Sequence, residues 1–137
     1  MPTPAARLLG VRGPAGDRGS SAVEFVLVGI LLTGLFAALL QLALNLHIRN
    51  VLVACAAEGA RYGANADRAP QDGATHARGL IVDSLSARFA QDVTAAVEER
   101  DGAVLVVVTV RAPLPVVALL GPERALVATG HALREGV

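Results

Sequence analysis

The chain has no tryptophan, no lysine, one cysteine and few aromatic residues. Each shortage closes off a class of function. With aromatics at 3% of the chain, the stacking platforms that nucleobases and sugars need are missing. Acidic and basic residues balance at 12 each, so no overall basic excess argues for nucleic acid. The basic residues are all arginine, which we read as coding bias rather than chemistry. A lone Cys55 excludes an intrachain disulfide. It lies in an alanine-rich stretch and reads as a small buried apolar residue; an interchain bridge in an oxidising compartment is the minority alternative. His47, His76 and His131 are far apart, with no cysteine or acid at ligand spacing, so no metal site is expected. Ser84-Leu85-Ser86 and the scattered acids form no triad or carboxylate pair. The glycines stand singly, so no phosphate-cradling loop is expected either. These absences predict no catalytic residues, no cofactor and no enzyme activity.

What is present is apolar. From Phe25 to Leu46 no residue carries a formal charge, about 22 residues and so roughly 33 Å of helix. That length spans a hydrocarbon core with a little tilt. Thr33, Gln41 and Asn45 are its only polar members, and Gly29 and Gly34 offer places for close helix approach. Residues 1–19 are Pro- and Gly-rich, carry Arg7, Arg12 and Arg18, and read as a leader that builds no packed structure. Beyond the apolar run the helix is expected to continue. Proline is absent from Ile48 to Tyr62, Val51, Cys55 and Tyr62 recur at helical spacing, and Glu58 is placed to pair with Arg61 or touch Tyr62. Gly63, or Asn65-Ala66-Asp67 just after it, is the expected stop.

A polar break is expected at Pro70-Gln71-Asp72-Gly73, then a second helix over 74–89. Leu80, Ile81, Leu85, Ala87 and Phe89 would form its apolar face, with Arg78, Asp83 and Arg88 towards water. The period then changes. Val104, Val106, Val108 and Val110 alternate with Leu105, Val107 and Thr109 as a buried strand. Asp101-Gly102 before it predicts a two-residue hairpin to a partner strand at 93–99. Pro113 and Pro115 end the ladder, and residues 125–133 can add a third strand. The expected fold class is α+β: a long N-terminal membrane-spanning helix extended outside the bilayer, a second helix, and a small antiparallel sheet of about three strands. The expected division is residues 1–19 as leader, 20–46 as transmembrane helix and 47–137 as an extracytoplasmic domain.

Gly19-Ser20-Ser21-Ala22-Val23-Glu24-Phe25 sits against the apolar run. A carboxylate at the mouth of a membrane helix is costly unless compensated. The bland reading is a capping box, in which Ser21 caps the helix and Glu24 reaches back to the Ser21 amide. Glycine before the serine pair, arginines before the glycine and the apolar segment after Glu24 together resemble a type IV prepilin-like leader. That resemblance implies cleavage between Gly19 and Ser20 by a prepilin peptidase, with Glu24 fifth and Phe25 sixth in the mature chain. The new ammonium at Ser20 would then neutralise Glu24 of a neighbouring subunit, and pairing would favour assembly in register, because an unpaired buried carboxylate carries a penalty of several kcal/mol.

Arg49-Asn50-Val51 and the string Ala56-Ala57-Glu58-Gly59-Ala60-Arg61-Tyr62 resemble the region after the membrane helix in TadE-like proteins, pseudopilin-like components of the tight-adherence pilus. The valine-rich strand followed by prolines and the end at Arg134-Glu135 resemble that family's C-terminal part more loosely. Glu58, Gly59, Arg61 and Tyr62 are thereby expected to serve local packing and ion pairing. The resemblance implies a structural assembly subunit in the bacterial inner membrane, N-terminus cytoplasmic and C-terminal domain outside. Its implied partners are membrane lipid, other pilin-like subunits and the pilus machinery, in homo- or hetero-oligomers. The arginines flanking the span lean the same way. The alternative is a single-pass membrane-anchored binding module of an envelope complex that never enters a filament. An ordinary signal peptide fits poorly, because the run exceeds a 7–15-residue apolar region and continues as helix where cleavage should fall.

Overall fold

The computed structural model describes Met1, residues 17–114 and residues 125–134, the side chains of Asp17 and Arg18 excepted. The leader from Pro2 to Gly16, Pro115 and Glu135 lie outside them. The elements follow the expected class: helix α1 (Asp17–Ala64), helix α2 (Pro70–Ser84), a 3-10 turn (Ala87–Phe89), and strands β1 (Asp92–Arg100), β2 (Ala103–Pro113) and β3 (Ala125–Leu133). The chain divides into two compact units, Met1–Leu39 and Leu40–Val137.

The first unit consists, among the described residues, of Met1 and the N-terminal part of α1. Its large apolar side chains, Phe25 through Leu39, are exposed. α1 is the one described helix long and apolar enough to cross a membrane. Inside the apolar run Thr33 Oγ1 donates to the Gly29 carbonyl at 2.8 Å, which satisfies the hydroxyl where lipid offers no partner.

In the second unit α1 buries a narrow stripe: Ile48, Leu52, Cys55, Ala56, Ala60 and Ala64. These recur at three- and four-residue steps, one face of a helix, and most are small. α1 stops at Ala64, where Gly63 and the polar Asn65 and Asp67 were expected to stop it.

α2 begins earlier than its apolar pattern suggested. Pro70 to Gly73, expected to be a break, forms its first turn. Proline suits that place because a first-turn N–H has no helical partner anyway. Asp72 Oδ2 accepts from the Ala69 N–H at 2.9 Å, taking up one orphan donor and placing an acid at the positive end of the helix. The other end also differs. α2 stops at Ser84, Leu85 leaves helical geometry, and Phe89 reaches the core from the 3-10 turn.

The sheet is antiparallel in the order β1-β2-β3. Arg100↔Ala103 closes the β1–β2 hairpin. Asp101 and Gly102 supply the two positive φ angles, 55° and 77°, that a type I′ turn requires. Val93, Val106, Val108, Val110, Ala112 and Ala128 are buried, as are the α1 stripe, Ala74, Ala77, Ile81 and Phe89. Valines fit because β-branched side chains pack well on a pleated surface. Arg78 is exposed, as expected, and also fastens α2 to the start of the sheet. Its Nε donates to the Ala90 carbonyl at 3.2 Å and its Nη2 to that of Val93 at 3.1 Å.

Candidate functional site

The residues singled out in the sequence lie on α1, in two places. The first is Gly19–Phe25, in the N-terminal unit. All seven are helical and exposed. Because α1 starts at Asp17, the expected cleavage point between Gly19 and Ser20 falls within its opening turns. Ser21 therefore does not cap the helix in the uncut chain, which corrects the capping-box reading. Nothing between Asp17 and Glu24 breaks a helix in the way proline does, so hydrogen bonding runs through the serines. Gly19 has no neighbouring atom within 4 Å of where a Cβ would stand. Glu24 and Phe25 are presented outward at the border between the polar start and the apolar run.

The second place is the Glu58–Tyr62 string, in the C-terminal unit. Its residues divide by the direction they face. Glu58 and Arg61 point outward and pair at 3.4 Å, with side chains 51% and 72% exposed. Such an exposed pair contributes well under 1 kcal/mol in general, so its value lies in which charges it displays. Gly59 points inward. A Cβ there would stand 2.6 Å from both the Ala77 Cβ and the Gly73 carbonyl oxygen. Gly73 answers it, since its own Cβ would meet the Gly59 oxygen at 2.4 Å, and a Cβ on Gly63 would stand 3.2 Å from Gly73 Cα. α1 and α2 thus touch backbone to backbone through three glycines, a contact that any larger residue would wedge apart.

Tyr62 ends the string and organises the helix exit. Its ring stacks on His76 of α2, centroids 4.3 Å apart and planes inclined by 13°. The Arg68 guanidinium lies over the same ring, 4.4 Å from its centroid, and also contacts the tyrosine hydroxyl. Ring stacking and cation–π contact both favour this arrangement. The His76 and Arg68 partnerships were not read from the sequence, where His76 had been considered only as a metal ligand. Spacing alone carries no signal for them, because they depend on how the turn after α1 folds back.

One more contact went unread. Gly130 of β3 lies against α1 so closely that a Cβ would stand 2.2 Å from the Ala56 carbonyl carbon and the Ala57 nitrogen. Cys55 is buried on the stripe, as expected. Burial pushes its thiol pKa up, and a hydrogen bond with Ser84 offsets part of that rise. Among the described residues no group of three His, Cys, Asp or Glu side chains is placed to hold a metal ion.

One long apolar helix that begins at a small-residue and acidic site and continues into a small α+β domain suggests a single-pass anchored protein. Residues 19–61 match the family model described as TadE-like protein. The match takes in both places on α1 up to Arg61 and ends before α2 and the sheet. No curated protein and no solved structure matches the chain.

Proposed function

We propose that this protein is a pilin-like structural subunit that takes part in assembling a tight-adherence pilus or the secretion machinery related to it, without catalysis of its own. The observation that carries this reading is the family match over residues 19–61, which joins the Gly19–Phe25 site and most of the Glu58–Tyr62 string on one helix. In this reading α1 anchors the chain in the inner membrane, with the leader on the cytoplasmic side and the C-terminal domain on the other. A prepilin peptidase cuts between Gly19 and Ser20. The ammonium so formed on one subunit meets Glu24 of another as the helices pack together. Cleavage has a further effect on this helix: it removes Asp17 and Arg18, so that Ser20 and Ser21 become the first turn. Glu24 then lies near the positive end of the shortened helix, besides facing its partner's ammonium.

Intact mass of the protein extracted from membranes tests the first step. The expected result, in cells containing the peptidase, is loss of residues 1–19; a chain that keeps Met1 there would remove the main support for the proposal. Glu24→Ala tests the second. Processing should be normal and co-assembly with other pilus subunits lost, whereas unchanged assembly would mean that Glu24 makes no contact between subunits. A membrane-anchored binding module would show the uncut mass and partners that persist in Glu24→Ala.

A further inference from the structure

Among the described residues, the two outer strands of the sheet differ in charge. β1 carries Asp92, Glu98, Glu99 and Arg100, while β3 carries no Asp, Glu, Lys or Arg and no proline along its nine residues. A long uncharged edge is what natural sheets normally avoid unless something pairs with it. The backbone groups that face away from β2 can be assigned. The Arg134 N–H donates to the Val104 carbonyl at 2.9 Å. Pairs at even positions of β3, such as Ala132↔Val106 and Gly130↔Val108, are therefore the hydrogen-bonded ones. Val127, Thr129, His131 and Leu133 then direct their N–H and C=O groups away from β2. On β1 the hairpin pair Arg100↔Ala103 sets the opposite parity, leaving Val93, Ala95, Val97 and Glu99 with outward backbone groups, of which the Val93 carbonyl already accepts from Arg78.

Beside β3 runs an open groove of about 370 Å³, lined by Arg61, Ala64 and Asn65 of the α1 end and by His131, Ala132 and Leu133. Its charged lining residue is Arg61, and Arg134 follows Leu133 at the same end. Meanwhile β1 holds an unexplained apolar side chain. Val97 is on the sheet face that the helices cover, yet it is 48% exposed.

We propose that the β3 edge receives the β1 edge of a second copy of this chain, side by side and parallel, so that the sheet continues from one subunit to the next. The register follows from the two ladders. Asp92 pairs with Arg111 and Arg111 with Val127; Glu98 pairs with Leu105 and Leu105 with Leu133. Simple continuation of the sheet therefore sets Thr94 of the next copy level with Thr129, Val97 level with Ala132 and Glu99 level with Arg134. Three requirements are met together. The outward groups of β3 fall opposite residues of β1 whose own groups point away, which is the alternation a parallel ladder needs. Val97 enters the groove beside Ala132. Glu99, on the helix-covered face, reaches the end of the groove where Arg61 and Arg134 stand, so the charges are complementary. A head-to-tail contact of this kind repeats from copy to copy and builds an open array wherever the rotation between copies does not close a ring. It deepens the pilin-like reading and rests on it for taking a second copy as the occupant.

The test is register-specific disulfide trapping in the full-length chain, in membranes under mild oxidation, with the parent carrying its buried Cys55 as control. Thr94→Cys plus Thr129→Cys in one chain should give a ladder of covalent oligomers, and either single variant should give none. Glu99→Arg and Arg134→Glu should each deplete the ladder at least several-fold, and combining the two should restore it. A dimer from Thr129→Cys alone would mean that β3 pairs with its own copy about a two-fold axis, and would overturn the proposal. So would a double variant that stays monomeric while Glu24-dependent assembly persists, which leaves the pilin-like reading intact. Loss of both cleavage and Glu24 dependence with the ladder present would instead sink that reading and leave the sheet contact standing.

Discussion

Gly59, Gly73 and Gly79 are all helical glycines, yet substitution by alanine should act in opposite directions. At Gly59 and Gly73 a methyl group would overlap backbone or Cβ atoms at 2.4–2.6 Å, and overpacking of this kind costs about 1–3 kcal/mol. At Gly79 nothing lies within 4 Å, so alanine should stabilise by about 0.5–1 kcal/mol through helix propensity. Thermal melts of the full chain in detergent should therefore move down for Gly59→Ala and up for Gly79→Ala; a common direction would contradict the glycine contact. Arg78→Ala should destabilise by about 1–3 kcal/mol, because the Ala90 and Val93 carbonyls lose their shared donor. Cys55 adds a pH dependence. Its folded pKa is raised, so the native state holds the proton where the unfolded chain loses it. The associated stability is complete below the usual thiol value of about 8.5 and declines as pH rises from there towards the raised value. Cys55→Ala should flatten that alkaline decline. Melting curves that fall in parallel for parent and variant across about pH 7–10 would refute it.

Among the elements, the strands were the most legible. Alternating valines and the Asp101-Gly102 pair state their geometry locally, and β3 occupies the span expected for it, Ala125–Leu133. The turn is testable on its own. Gly102 holds φ at +77°, so Gly102→Ala should cost about 1–2 kcal/mol through backbone strain alone, read as a lowered denaturation midpoint at unchanged slope. The second helix was legible in kind and misplaced in extent. Pro70-Gln71-Asp72-Gly73 has the composition of a loop; it is helical because proline and an acid suit a first turn and because Gly73 must be small to meet Gly59. That last reason is tertiary and leaves no periodic trace. The carbonyl contacts of Arg78 went unread for a related cause. Its helical position points to solvent, but its length lets it turn back to carbonyls beyond the end of its own helix.

At the scale of the whole molecule, the candidate sites were legible because they are short strings on one helix, and their surroundings were not. Gly19–Phe25 announces itself by chemistry that makes sense only beside an apolar run. The Glu58–Tyr62 string was recognisable as a pattern, while its division into an outward ion pair, an inward glycine contact and a terminal aromatic stack required the fold. The division also predicts separable effects. Arg61→Ala should leave the melting temperature within about 1 °C, as exposed pairs contribute little, and act on association with other subunits. Gly59→Ala should reduce folded protein before any assembly step, which limited proteolysis of the full chain would detect.

The glycine and alanine contact between α1, α2 and Gly130 has one more consequence, for how the domain takes shape. Leucine and methionine cores lose rotamer freedom when they order, whereas glycine and alanine have no side-chain entropy to surrender. They also have no alternative rotamers with which to fill a gap. Docking of the second helix and third strand onto the first is thereby close to all-or-none: the surfaces meet at backbone distance or gain almost nothing. A domain built on such a seam has little means of persisting half-docked.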